Sequence, residues 1–244
     1  MDYSIKIGGE AGQGIQTIGD ALGRVFTRAG YYAFSCQDYE SRIRGGHNFY
    51  QLRISNQPHA APRNKIDILV ALDRESISRH EHELTMGGKI IYDASALKLK
   101  KEDPAFLDIP FEKLALEQGG DKIAANNVAT GAILGMLGIE LGLLFELITD
   151  RFKNKGDAVI KANRNAAQAG HTYAKQHCDG CSFAVDAGNI QQRMLISGIE
   201  AIALGALASG CRFYAAGASE VCGRIHFFRA ILTTLAASCR LVSS

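Results

Sequence analysis

One junction near the N-terminus constrains this chain more than any other. A short β-type run, Tyr3 to Ile7, stops at Gly8-Gly9-Glu10-Ala11-Gly12-Gln13-Gly14, and a helical pattern begins directly behind it. Ile15, Ile18, Leu22, Val25 and Phe26 recur three or four residues apart, which is one face of a helix, and Gly30 stands where a C′ residue belongs. A second strand-like run, Tyr31 to Phe34, follows. A strand that enters a helix through a glycine loop must lay that helix back on its own sheet.

The rest of the chain extends this pattern. From His47 to Ser55, Tyr50, Leu52 and Ile54 alternate with Gln51, Arg53 and Ser55, so one face of this strand is expected to meet solvent or a partner. Ile66 to Leu72 is apolar except for Asp67, as in a central strand buried on both faces. Arg74 to Leu84 reads as a polar helix, and Lys89 to Tyr92 as a further strand. Strands alternating with helices predict a three-layer α/β fold with a mainly parallel, Rossmann-like sheet. All four prolines lie between Pro58 and Pro110. Beyond them the chain is expected to be mostly helical, at Asn127 to Gly138, Glu140 to Lys153, Asp157 to His177 and Gly198 to Gly210, with a linker over 178–197.

Charge and composition exclude several functions. With 27 basic and 25 acidic residues the net charge is +2, and 47% of residues are hydrophobic. That is too apolar for a disordered chain and carries no electrostatic footprint for nucleic acid. The apolar stretch from Val128 to Ile148 is interrupted by Glu140, Glu146 and four glycines, which predicts two buried helices with a break near Gly138 rather than a membrane span. The first residues lack the basic and apolar regions of a signal peptide, so a cytoplasmic protein with reduced thiols is expected.

The glycine loop is the strongest chemical signal. Glycines allow close backbone approach, and the helix behind them offers unpaired N–H groups to an anion. Thr17 occupies the third glycine position of a dinucleotide fingerprint, and no Lys-Ser/Thr pair completes a phosphate loop of the nucleotide-hydrolase type. The second signal is Ser41-Arg42-Ile43-Arg44-Gly45-Gly46-His47, where two arginines beside a diglycine suit phosphate or carboxylate. His171, His177, Cys178 and Cys181 lack the second cysteine pair of a zinc ribbon, and two helix-end thiols are expected instead. His80-Glu81-His82-Glu83 is expected to fan around a solvated helix, and no acid–base pair stands out.

Four stretches together resemble a known family. They are Ile5 to Gly14, Gln37-Asp38-Tyr39-Glu40-Ser41-Arg42-Ile43-Arg44-Gly45-Gly46-His47-Asn48, Asp67 to Asp73, and Asn126-Asn127-Val128-Ala129-Thr130-Gly131-Ala132. In this order they are similar to the gamma domain of 2-oxoacid:ferredoxin oxidoreductases, in the form fused ahead of the alpha domain. The resemblance covers residues 3–177. Gly198 to Ala216 is similar to the start of the thiamine-pyrimidine (alpha) domain, and 217–244 departs from the family as an atypical tail, as if truncated.

The resemblance implies a subunit component of an enzyme that decarboxylates a 2-oxoacid oxidatively, makes an acyl-CoA and reduces ferredoxin. Thiamine diphosphate and iron–sulfur clusters would lie on other domains or subunits, including a thiamine-binding beta subunit and the remainder of the alpha domain, so the isolated chain is expected to be inactive. Coenzyme A would be bound here. Gly9, Gly12, Gln13 and Gly14 would line its anion site, Arg42 and Arg44 would supply charge, Gly45 and Gly46 access, His47 a donor, and Asn126 a polar contact. No catalytic residue and no metal ligand is expected on this chain. The alternatives are a free-standing nucleotide-binding regulatory module, with Asp38 on a ribose hydroxyl, and a purely structural assembly domain. Apolar residues of the C-terminal part, such as Ile199 and Ile202, are expected to drive homo-oligomers.

Overall fold

The computed structural model describes residues 1–40, 46–178, 181, 183, 185, 193–215 and 240–242. Arg42, Arg44 and Gly45 lie outside the described residues, as does most of the 217–244 tail. The chain divides into two compact units, Met1–Met194 and Leu195–Ser244.

The first unit runs β1 (Asp2–Gly9), α1 (Ile15–Arg28), β2 (Tyr32–Tyr39), β3 (Asn48–Ser55), β4 (Ile66–Ala71), α2 (Arg74–His80), β5 (Leu84–Tyr92), α3 (Ala94–Leu97), β6 (Phe106–Asp108), α4 (Phe111–Leu114), α5 (Ala125–Met136), α6 (Gly142–Phe152) and α7 (Asp157–His177). Six strands form one sheet in the order β2-β3-β1-β4-β5-β6. β3 pairs antiparallel with both neighbours, and the β1–β4, β4–β5 and β5–β6 ladders are parallel. The expected three-layer α/β fold with a mainly parallel sheet is therefore the observed one.

The main core lies on the face where β1 presents Ile5 and Ile7. α1 covers it with Ile18, Leu22, Val25 and Phe26, all fully buried, and α5 and α7 complete the layer. α5 and α7 cross with their backbones in contact. A Cβ at Gly131 would fall 1.9 Å from the Ala167 carbonyl oxygen, and one at Gly170 would fall 2.0 Å from that of Val128. This close approach explains Gly131 and Gly135 in the long apolar stretch, which breaks at Gly138 (φ 68°) between α5 and α6. No helix among the described residues is long and apolar enough to cross a membrane. A smaller cluster of Ile66, Leu69, Ala71, Ile77, Ile90 and Tyr92 lies under α2.

Three expectations change here. The polar face of β3 is not solvated: Gln51 and Ser55 are buried, because the chain between β3 and β4 closes over them. Gln51 donates to Ser4 Oγ (2.9 Å) and to the Arg63 carbonyl (2.6 Å). Cys178 and Cys181 are joined as a disulfide rather than standing as separate helix-end thiols. Within the expected linker, Phe183 stacks edge-on against Tyr3 and the Arg193 guanidinium lies 3.6 Å over the Tyr32 ring, so these described residues pack on the first unit.

The second unit contains α8 (Gly198–Ala208), closed at its N-terminus by a capping box of Ser197 and Glu200. A parallel pair of short strands, β7 (Phe213–Ala215) and β8 (Arg240–Val242), follows. Ile199, Ile202 and Leu204 on α8 are exposed.

Candidate functional site at the strand reversal

Chain order reverses between β1 and β4. From β1 the chain moves through α1 to the β2–β3 side, then crosses to β4 and continues outward through β5 and β6. The crevice beyond the carboxyl ends of two such strands is where open α/β sheets bind ligands. The glycine loop emerges here from β1.

The loop is built to expose backbone. Gly12 and Gly14 have φ 92° and 87°, the left-handed region that glycine enters without strain. A Cβ at Gly12 would meet nothing within 4 Å, so its backbone is open to approach. Gly14 is the N-cap of α1, where no side chain caps the helix and no acidic residue occupies the first turn. The leading N–H groups of a 14-residue helix thus remain available to an anion. Gln13 ties the loop across the crevice: its Oε1 accepts from Glu10 N (2.7 Å) and its Nε2 donates to the Leu72 carbonyl beyond β4 (3.3 Å). That Oε1 would lie 2.5 Å from a Cβ at Gly9, so Gly9 makes room for the tie.

Asn126 closes the other side. Its amide would lie 2.0 Å from a Cβ at Gly14, so the two residues are in direct apposition. Gly12, Gln13, Leu72, Asp93, Lys122 and Asn126 are among the residues around a cavity of about 370 Å³. Asp93 caps α3 by accepting from Ser95 N and Ala96 N, and Lys122 pairs with Glu112 at 2.6 Å. Gly9, Gly12, Gln13, Gly14 and Asn126, expected to act together, are therefore brought together. A larger cavity of about 620 Å³ lies between α1 and α6, but Asp20 and Asp150 face it, and Arg28 lies 3.7 Å from Asp150. Carboxylates that line the cavity and engage Arg28 make it a poorer anion site.

The structure places His47 elsewhere. It is buried on the opposite face of β1, with its Nε2 2.7 Å from His80 Nε2. That contact takes Nε2 out of the anion-donor role expected of it. His80 Nδ1 lies 2.8 Å from Glu83 Oε1, and Lys6 Nζ donates to the same carboxylate. His80 and Glu83 therefore converge, three residues apart on one side of a turn, rather than fanning into solvent. Burial pushes both imidazoles below the ordinary histidine value, while hydrogen bonds from Lys6 and His80 outweigh burial to hold Glu83 low. The sequence carried two signals of this cluster: the His80/Glu83 spacing, and Lys6 out of phase with Ile5 and Ile7.

Asp38 does not support a ribose role. It lies exposed near the end of β2, which is separated from β1 by β3. His171 and His177 hydrogen-bond the Ile139 and Tyr173 carbonyls (3.0 and 2.9 Å). Among the described residues no group of three or more His, Cys, Asp or Glu is placed to hold a metal.

The chain is similar to known proteins. A family model described as pyruvate ferredoxin/flavodoxin oxidoreductase matches residues 4–173. The alpha subunit of 2-oxoacid:ferredoxin oxidoreductase 2 from Aeropyrum pernix is 24% identical over 256 residues, covering 86% of this chain and 40% of its own length. The 2-oxoglutarate synthase subunit KorC from Archaeoglobus fulgidus is 25% identical over 175 residues, 71% of this chain and 91% of its own. A solved 2-oxoglutarate:ferredoxin oxidoreductase from Magnetococcus marinus, with 2-oxoglutarate, coenzyme A and succinyl-CoA bound, shares the fold at a TM-score of 0.86 and 23% identity. That match covers all of this chain and 43% of the other. The gamma subunit of a keto/oxoacid ferredoxin oxidoreductase from Geobacter sulfurreducens gives a TM-score of 0.63 at 25% identity, over 72% of this chain and 98% of its own. The chain thus spans less than half the length of the A. pernix alpha subunit.

Proposed function

Because the chain belongs to the pyruvate ferredoxin/flavodoxin oxidoreductase family, we propose that it supplies the coenzyme A-binding and assembly portion of a 2-oxoacid:ferredoxin oxidoreductase. The observation that carries this reading is the uncapped N-terminus of α1 behind Gly12 and Gly14, opening on a cavity at the strand reversal. Backbone N–H groups there suit the phosphate or pyrophosphate of coenzyme A, whose thiol would accept the acyl group. Gln13 and Asn126 would orient it, and Arg42 and Arg44, with Gly45 and Gly46 giving access, would add charge-assisted bonds. Thiamine diphosphate and the iron–sulfur clusters that pass electrons to ferredoxin belong, in this reading, to a beta subunit and to further alpha-domain sequence.

Coverage supports a two-part chain. The KorC relative aligns with 71% of it, whereas the A. pernix alpha subunit aligns with 86%. We infer that residues 198–216 open the next domain. Titration with coenzyme A, NAD and ATP in parallel tests the function. Saturable binding of coenzyme A in preference to the other two is expected. Preference for NAD or ATP would return the chain to a nucleotide-binding regulatory module.

A further inference from the structure

α6 and α7 border a cavity of about 530 Å³ that shares no lining residue with the cavity at the glycine loop. Its wall follows from helical spacing. On α7, Lys161, Asn165 and Gln168 recur three or four residues apart, with Arg164 beside them, and on α6 Phe145 and Thr149 are four apart. Two antiparallel-type faces of this kind set a ring and a hydroxyl opposite a row of cations and amides.

Arg164 is ordered by its neighbours. Its Nη2 donates to Thr149 Oγ1 (2.6 Å) and to the Phe145 carbonyl (3.3 Å), and the guanidinium carbon lies 5.4 Å from the centre of the Phe145 ring. Thr149 donates its own proton to the same carbonyl (2.7 Å), so its oxygen accepts from Arg164. The charge itself is not neutralised: among the described residues no carboxylate pairs with Arg164 or with Lys161, one turn before it. Arg164 Nε is buried without a hydrogen-bond partner, and no acceptor among the described residues meets Nη1. Asp157 is the one carboxylate in the lining, and it stands in the first turn of α7, where the helix dipole favours it.

A planar guanidinium with donors to spare pairs with a carboxylate through two parallel bonds. Lys161 adds an ammonium, and Asn165 and Gln168 offer amides to further oxygens. Gln168 commits one N–H to Thr172 Oγ1 (3.2 Å) and keeps its other donor and its oxygen. Phe145 and Ile160 give the cavity an apolar side. A free phosphate would leave that side uncovered, whereas a carboxylate on a short branched hydrocarbon covers it. We propose that the cavity between α6 and α7 binds a small organic carboxylate, with Arg164 as the anchor, Lys161 as a second charge, and Phe145 and Ile160 against the apolar body. The proposal is independent of coenzyme A binding at the glycine loop.

The test titrates the full chain with isovalerate, acetate and inorganic phosphate while following its nitrogen–proton spectrum. Isovalerate should give saturable shifts at the Arg164 Nε–H and at the side-chain amides of Asn165 and Gln168. Acetate, which lacks three carbons of the apolar body, and phosphate should each bind about tenfold more weakly. Arg164→Lys keeps the charge but removes the fork and should weaken isovalerate about tenfold; Lys161→Ala, at an exposed position, should weaken it about threefold. No saturable shift at Arg164, shifts centred on Gly12 and Gly14 instead, or unchanged affinity in both variants would overturn the proposal. Phosphate binding as tightly as isovalerate would overturn the ligand class. If Arg164→Lys does not fold, Lys161→Ala decides: weaker binding supports the site, and wild-type affinity refutes it.

Discussion

Replacing Gly131 by alanine probes the packing that holds the site together. The added Cβ would lie 1.9 Å from the Ala167 carbonyl oxygen, whereas ordinary contact begins at 3.4 Å. The obstacle is backbone, so no rotamer relieves it, and α5 and α7 must part locally by about 1.5 Å. Two opposing effects decide the sign. Alanine favours a helix interior over glycine by about 1 kcal/mol. Overpacking costs about 1–3 kcal/mol, and a displaced helix pair adds lost contacts around Val128 and Ala166. A net loss of about 2 kcal/mol is expected, or about 4–8 °C in Tm for a chain of this size. Gly142→Ala, exposed and with nothing within 4 Å of the added Cβ, is the control and should shift stability by less than about 1 kcal/mol. Thermal and urea unfolding of both variants measure this. A Gly131→Ala protein as stable as wild type would refute the packed backbone crossing.

Asn126→Ala should weaken coenzyme A binding by about 1 kcal/mol while leaving the unfolding midpoint nearly unchanged, as calorimetry and urea titration would show. Arg42→Ala/Arg44→Ala should cost a few kcal/mol of the same affinity, and equal affinity in calorimetry would remove these arginines from the site. His47, His80 and His171 all have values lowered from 6.5, with burial the largest cause. The unfolded chain therefore binds more protons than the folded one below the ordinary histidine value, and stability should fall as pH drops from about 7.5 to 5.5; a flat urea midpoint over that range would contradict it. Purified chain mixed with thiamine diphosphate, coenzyme A, a 2-oxoacid and a viologen dye should reduce no dye above the blank.

The sequence is most legible where local rules and tertiary demands coincide. Ile15 to Phe26 carry their burial in their spacing, Gly30 has the left-handed φ of 91° that a C′ glycine takes, and α7 spans Asp157–His177 as its pattern predicts. Asp67 interrupts a buried strand because Ser4 N, Arg63 and Thr85 all donate to its carboxylate. Strand order was not legible, since hydrophobic periodicity carries no information about neighbours. For the same reason the burial of Gln51 and Ser55 was hidden. β6 has only three residues and gives no periodic signal. Within the site, the loop announced itself through its glycines. The apposition of Asn126 with Gly14 needed the fold, and the resemblance supplied it before the geometry did. The Lys6–Glu83–His80–His47 cluster was missed because its members come from β1, the end of α2, the turn after it, and the residue before β3, and only the fold brings these segments together.

Backbone amide shifts during a coenzyme A titration test the central claim most directly. The account predicts that the largest, saturable changes fall on Gly12, Gly14, Ile15, Gln16 and the Asn126 side chain. Changes concentrated instead around Asp20, Arg24 and Arg151, in the groove between α1 and α6, would contradict it.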